Sequence, residues 1–346
     1  MRLKYKESSI LTKSFLSAVV CFCAFDANAF DYNRGRYGFK LTGYGNAGVI
    51  EPDLQDPIFI GDWMARTQFN YAIATNKTIG LVYALDELAL YQNESARDAF
   101  VFLEDSRFGR IELGLTDSIA TKLGVGLPDV GGLRINDNTL LFEKVEPSGA
   151  VISNTTITSG RYDLRANIVS VPTKPLQFGF SVAGLSSKYD YSADFGIKYR
   201  KPDGKTKTAV SFGASFIDSP QNFQTDIYMP ATTADWRGQI STGLNLQYNS
   251  WIWGISGRVI YDKNPIGPSS DGVIAGTSVS YDLLNYTISG TYLVSETGVW
   301  DDMPNYVAHT EILSFRYKYS ENVDGWMSIG FSAGTPFASA GLKAKF

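Results

Sequence analysis

The chain has 346 residues, with 31 Lys+Arg against 35 Asp+Glu, a formal net charge of −4, one His and two Cys. That mildly acidic balance lacks the basic face that phosphate binding needs, so nucleic acid is not an expected partner. Both cysteines (Cys21 and Cys23) lie near the start and His309 stands alone, so no disulfide framework, metal site or cofactor is expected.

Taken in chain order, the first segment is basic (Arg2, Lys4, Lys6, Lys13), then apolar from Phe15 to Phe25, then Ala27-Asn28-Ala29. This is the order of a secretory signal peptide, with cleavage expected after Ala29. Residues 30–346 are then the working part, with 27 Lys+Arg against 33 Asp+Glu and neither cysteine. The apolar run is too short to span a bilayer, which takes about 20 residues, and no later stretch approaches that length. Mean hydropathy is −0.10 while aromatics reach 14%. A barrel that is oily outside and wet inside has that composition.

From Tyr37 onward one unit repeats: a short alternating segment, then a turn. In Trp63–Tyr71 one face carries Trp63, Ala65, Phe69 and Tyr71, and the other Arg66, Gln68 and Asn70. Successive strand side chains point to opposite faces, so this is a ribbon with one apolar and one polar side. Ile240–Tyr248, Asn285–Tyr292 and Glu311–Tyr319 repeat the pattern. Sixteen such segments start near residues 36, 62, 78, 97, 109, 160, 176, 191, 207, 237, 251, 272, 285, 310, 326 and 341. The spacing allows roughly 20 residues for each strand and its connection, which suits a membrane strand of about 9–11 residues.

Connection lengths alternate. Thr75–Lys77, Pro172–Pro175, Lys201–Lys205, Asn249-Ser250 and Leu284-Asn285 are short and rich in turn formers. Ile50–Ile60, Thr116–Ser159, Ile217–Asp235, Asp262–Asp271 and Glu296–His309 are long. Short turns on one rim and long loops on the other are the asymmetry of an outer-membrane barrel. In hydrocarbon an unpaired backbone group costs several kcal/mol, so such a sheet must close. About sixteen strands leave an aqueous channel inside. The reading is an all-β, sixteen-stranded antiparallel transmembrane barrel in the outer membrane of a Gram-negative bacterium, surrounded by lipid. It would pass ions and small hydrophilic solutes without catalysis.

Several segments resemble the general trimeric porins of Gram-negative bacteria. Arg97–Leu103 followed by Phe108-Gly109 is similar to the fourth strand of that family and its turn. Leu127-Pro128-Asp129-Val130-Gly131-Gly132 resembles the Pro-Glu-Phe-Gly-Gly segment of its third loop, and Leu41-Thr42-Gly43 and the terminal Phe346 also fit. The resemblance implies a homotrimer, a long third loop folded into the lumen, and Phe346 as the signal for barrel assembly. It implies a constriction formed by Pro128, Asp129, Gly131 and Gly132 of the loop facing wall arginines, Arg66 and Arg97. Strand parity, with Phe69, Tyr71, Phe100 and Phe102 set outward, turns both arginines inward. Two departures stand out: Val125 replaces a second loop acid, and Tyr44 replaces a wall lysine. Asp117 or Asp137 is the candidate substitute on the loop, and Arg161 and Arg165 are candidates on the wall.

Two other functions fit a barrel. An enzyme would need an acid–base or nucleophile cluster near the rim. His309 with Glu311 is the candidate, but no Gly-x-Ser-x-Gly segment accompanies it. A substrate-selective channel would need lumen aromatics or a dense basic lining. The loop instead mixes Lys122, Arg134 and Lys144 with Asp117, Asp129, Asp137 and Glu143.

Overall fold

The computed structural model describes residues 30–52, 57–86, 98–128, 155–157, 164–184, 191–201, 204–218, 235–263, 270–297 and 306–346. The strands are β1 (Phe30–Arg34), β2 (Tyr37–Pro52), β3 (Ile58–Ala74), β4 (Lys77–Asp86), β5 (Asp98–Asp105) and β6 (Gly109–Leu115). They continue as β7 (Leu164–Val169), β8 (Leu176–Ala183), β9 (Ser192–Lys201), β10 (Thr206–Asp218), β11 (Trp236–Tyr248) and β12 (Trp251–Lys263). The last are β13 (Ser270–Leu283), β14 (Tyr286–Thr297), β15 (Tyr306–Lys318), β16 (Val323–Ser332) and β17 (Thr335–Lys345).

From β2 to β17 each strand pairs antiparallel with the next. β17 returns to β2, from Lys345↔Tyr44 to Phe337↔Pro52, and closes a sixteen-stranded barrel. The lower half of β2 pairs instead with β1, from Arg34↔Tyr37 to Phe30↔Leu41. Between these two partners sits Phe346, whose backbone exchanges hydrogen bonds with Gly43 at 2.6 and 3.0 Å. A side chain at Gly43 would run into the Phe346 ring at 2.5 Å.

Alternation assigns the two faces. Leu81, Val101, Leu103, Ile111, Leu113, Phe180, Phe195, Ile255, Val259, Ile288 and Leu313 are exposed on the outer surface. Aromatic neighbours join into belts, Tyr191–Phe216–Trp236–Tyr261 toward the long-loop rim and Phe315–Tyr286–Tyr317–Tyr319 toward the turns. An apolar band flanked by aromatic girdles is the outside of a transmembrane barrel. The inner face of β13–β16 is a hydroxyl surface, with Thr291 donating to Ser278 at 3.1 Å and Ser314 against Ser328 at 2.8 Å.

The interior departs from simple alternation in two places. Phe100 and Phe102, expected outward, are buried on the inner face with Val82, while Val101 and Leu103 face out. A second apolar patch on the inner wall joins Ile50, Leu293, Ala308, Ile312, Trp326 and Phe337 to Leu127 of the long connection. The strands also run further than expected at one loop, β2 to Pro52 and β3 from Ile58. At the last hairpin the length alternation breaks. β16 and β17 join through Ala333-Gly334 alone, both at positive φ, which suits the twist of a two-residue hairpin.

Candidate pore lining

After β6 the chain turns onto the inner wall. Ser118 caps a five-residue helix, α1 (Ile119–Leu123), its hydroxyl accepting from the Thr121 amide at 3.2 Å. The segment from Ser118 to Pro128 then crosses β8 to β13 along glycines on their inner faces. A Cβ on Gly196 would come 2.8 Å from the Ile119 carbonyl, and one on Gly276 2.7 Å from Leu127. At Gly243 and Gly254 added carbons would overlap Val125 and Pro128. Hydroxyls and amides of the wall take up the orphan backbone groups, as a chain lying off the surface requires. Ile119 N donates to Ser181 at 3.2 Å, and Val125 N to Ser211 at 2.8 Å. Asn245 donates to Gly126 O at 3.1 Å, and Ser278 to Pro128 O at 3.3 Å. Residues 155–157 of the connection are pinned beside it: Thr121 donates to Ile157 O at 2.8 Å, and Ser256 to Thr155 at 2.5 Å.

Beside this segment a set of cationic groups lines the wall through β17, β2, β3, β5 and β6. Arg66 Nη1 bonds Asp98 at 3.1 Å, with its guanidinium 5.8 Å from the Phe100 ring. Arg110 lies 3.7 Å over Phe102 and pairs with Glu112 at 3.0 Å and Glu104 at 3.6 Å. Lys122 reaches from α1 to Glu112, donates to Thr116 at 2.6 Å, and sits 4.9 Å from the same Phe100 ring. Ring faces carry negative quadrupole density, so each phenyl is a seat for these cations. On β17, Lys343 lies 5.1 Å from the Tyr44 ring, which restores a cation where the first strand lacks one.

Of the candidates named above, Arg66 faces inward on β3. Arg165 also points inward but is wholly enclosed, with Asp194 at 2.5 Å and Ser181 and Ser192 each at 3.3 Å. Ser181 is the hydroxyl that receives Ile119 N, so Arg165 stands behind the long connection. Asp117 lies at its start, its carbonyl accepting from Asn167 at 3.0 Å, and Pro128 rests on Gly254. Asp129, Gly131, Gly132, Asp137, Arg97 and Arg161 lie outside the described residues. The parity argument for Arg97 does not hold, because its reference residues Phe100 and Phe102 face inward. Glu112, Arg110 and the two phenylalanines were missed; the signal was the alternation of Arg110 with outward Ile111 and Leu113. His309 and Glu311 are both on the outer face, with the Tyr292 hydroxyl 2.7 Å from His309 Nδ1.

A closed sixteen-strand barrel with an apolar exterior, a polar interior and a tethered inner segment is an outer-membrane β-barrel of porin architecture. No protein-family model and no curated protein matches the sequence. Among solved structures it is similar to a loop L8 deletion mutant of OmpT, an outer membrane protein of Vibrio cholerae. There the TM-score is 0.67 at 10% identity, over 90% of this chain and 100% of that one. Salmonella typhi OmpF in complex with daunomycin gives 0.60 at 12% identity, over 92% and 100%. An anion-selective porin from Comamonas acidovorans gives 0.59 at 10% identity, over 90% and 100%.

Proposed function

We propose that this chain is a general porin, a passive water-filled channel for ions and small hydrophilic solutes. The observation that carries the reading is the division of the inner wall. One side is occupied by the tethered Ser118–Pro128 segment, which carries Lys122, and the other presents Arg66 and Lys343, with no packed core between them among the described residues. Sixteen strands make a tube too wide for side chains to fill. Solutes then cross down their gradient through the gap between segment and wall.

In this reading residues 1–29 are a leader, the working form is a homotrimer, and Phe346 directs assembly. The tip of the long connection, with Asp129, Gly131, Gly132 and Asp137, narrows the passage further, and Arg161 adds to the basic wall. His309 serves no catalysis: it faces outward beside Tyr292, away from the lumen and its ion pairs. Recording from the purified barrel in a planar bilayer tests the proposal. Stable ohmic steps in groups of three are expected, and Asp129→Asn shifts the reversal potential toward anions. A bilayer that stays silent over a wide protein range rejects the channel.

A further inference from the structure

We propose that this cationic wall holds a subsite for small oxyanions, a carboxylate or a phosphate, formed by Arg66 and Lys122 and positioned by Phe100. The inference rests on the channel reading and deepens it by naming the solute class.

Three elements deliver cations to one ring. Arg66 comes from β3, Arg110 from β6 and Lys122 from α1, at 5.8, 5.7 and 4.9 Å from the Phe100 centroid. Their partner acids are present in comparable number, so total charge alone does not decide what a solute meets. Depth does. The Arg66 side chain is 33% exposed and its partner Asp98 7%; Lys122 is 27% exposed and Glu112 6%. The cations form the wet surface and the carboxylates lie behind them. An anion in the lumen approaches the positive end of each pair first, and Coulomb energy falls with distance, so the nearer cation dominates. Phe100 itself is 2% exposed; it fixes the two cations without touching the solute.

The position also favours binding. Lys122 sits on the segment that covers the neighbouring wall, so the subsite lies where the lumen is already reduced and water is partly displaced. Low-dielectric walls of this kind focus the field of a few charges. Tyr44 with Lys343 extends the same arrangement two strands further. Thr42 is the β2 partner of Arg66, which puts Tyr44 one inward position along from it.

The test uses the full barrel in planar bilayers, with inorganic phosphate and acetate as probes. Wild type is expected to favour chloride over potassium under a salt gradient, and both probes should reduce chloride current saturably. Arg66→Gln with Lys122→Gln should lower the chloride-to-potassium permeability ratio about two-fold or more, and weaken phosphate block by about five-fold. Phe100→Leu, which keeps every charge, should weaken phosphate block. Arg107→Gln, in the turn after β5, should change neither selectivity nor block. Should the double variant not fold, phosphate block of the wild-type current decides alone. A conducting wild-type channel without saturable block overturns the subsite but leaves the channel intact. So does a double variant with unchanged selectivity and block. Absence of conductance overturns the channel itself, and the subsite with it.

Discussion

Arg165 and Arg66 are both inward arginines, and their surroundings give them different work. Arg165 is enclosed with Asp194, each side chain at 0% exposure, under the segment that crosses the wall. Removing one partner of such a pair strands the other charge in a dry site. Arg165→Ala should therefore destabilise the barrel by about 3–5 kcal/mol. Pairing Arg165→Met with Asp194→Leu should recover much of that loss, because the desolvation cost disappears with the charges. Urea unfolding in lipid vesicles, followed by tryptophan fluorescence, measures both; a double variant no better than the single would contradict the account. The direction of these side chains was legible in the sequence, since parity along β3 and β7 turns Arg66 and Arg165 inward. Their depth was not. Whether an inward arginine meets water depends on what crosses above it, and that is set by contacts between Ile119 and strands some 60 residues later in the chain.

At the scale of the element, the long connection is held by absences as much as by bonds. Inner-face glycines on β8, β9, β11, β12 and β13 leave a channel one backbone wide. Gly243→Val would drive a side chain into Val125, and overpacking of this kind costs about 1–3 kcal/mol. Since the segment is a loop rather than a strand, detachment is the cheaper relaxation, so Gly243→Val should raise single-channel conductance while the barrel stays folded. Conductance equal to wild type, with folding confirmed by heat-modifiable gel mobility, would count against the tether. Strand positions were well marked by period-two alternation and turn residues, and β6, β8 and β12 start where the spacing put them. The face of β5 was misread, since Phe100 and Phe102 suggest a lipid contact by type alone. They point inward because Arg110 and Lys122 cover them, a pairing across strands and loop that no local pattern encodes. The inner-face glycines were in plain view but read as ordinary strand residues, because their meaning lies in the chain that passes over them.

For the whole molecule, closure depends on the ends of the described chain. Phe346 bonds Gly43 on one edge of β2 while β1 takes the rest of that edge. Deleting Phe346 should reduce the yield of folded barrel in an outer-membrane assembly reaction several-fold, with little effect on conductance of the molecules that fold; an unaltered yield would remove its assembly role. The alternation of short and long connections separated a rim of turns from a rim of long loops, and its break at Ala333-Gly334 was not foreseen, because a two-residue hairpin leaves no mark beyond one glycine.

The split of β2 between two partners has a kinetic side. The pairing of Ala47 with Leu342 joins residues almost a whole chain apart, and contacts this remote are reached slowly. Until β17 meets β2 the ribbon has two raw margins, each able to recruit a stranger. Contact order alone thus makes the β17–β2 seam the slowest of these pairings to form, and both margins stay open to stray pairing until it does.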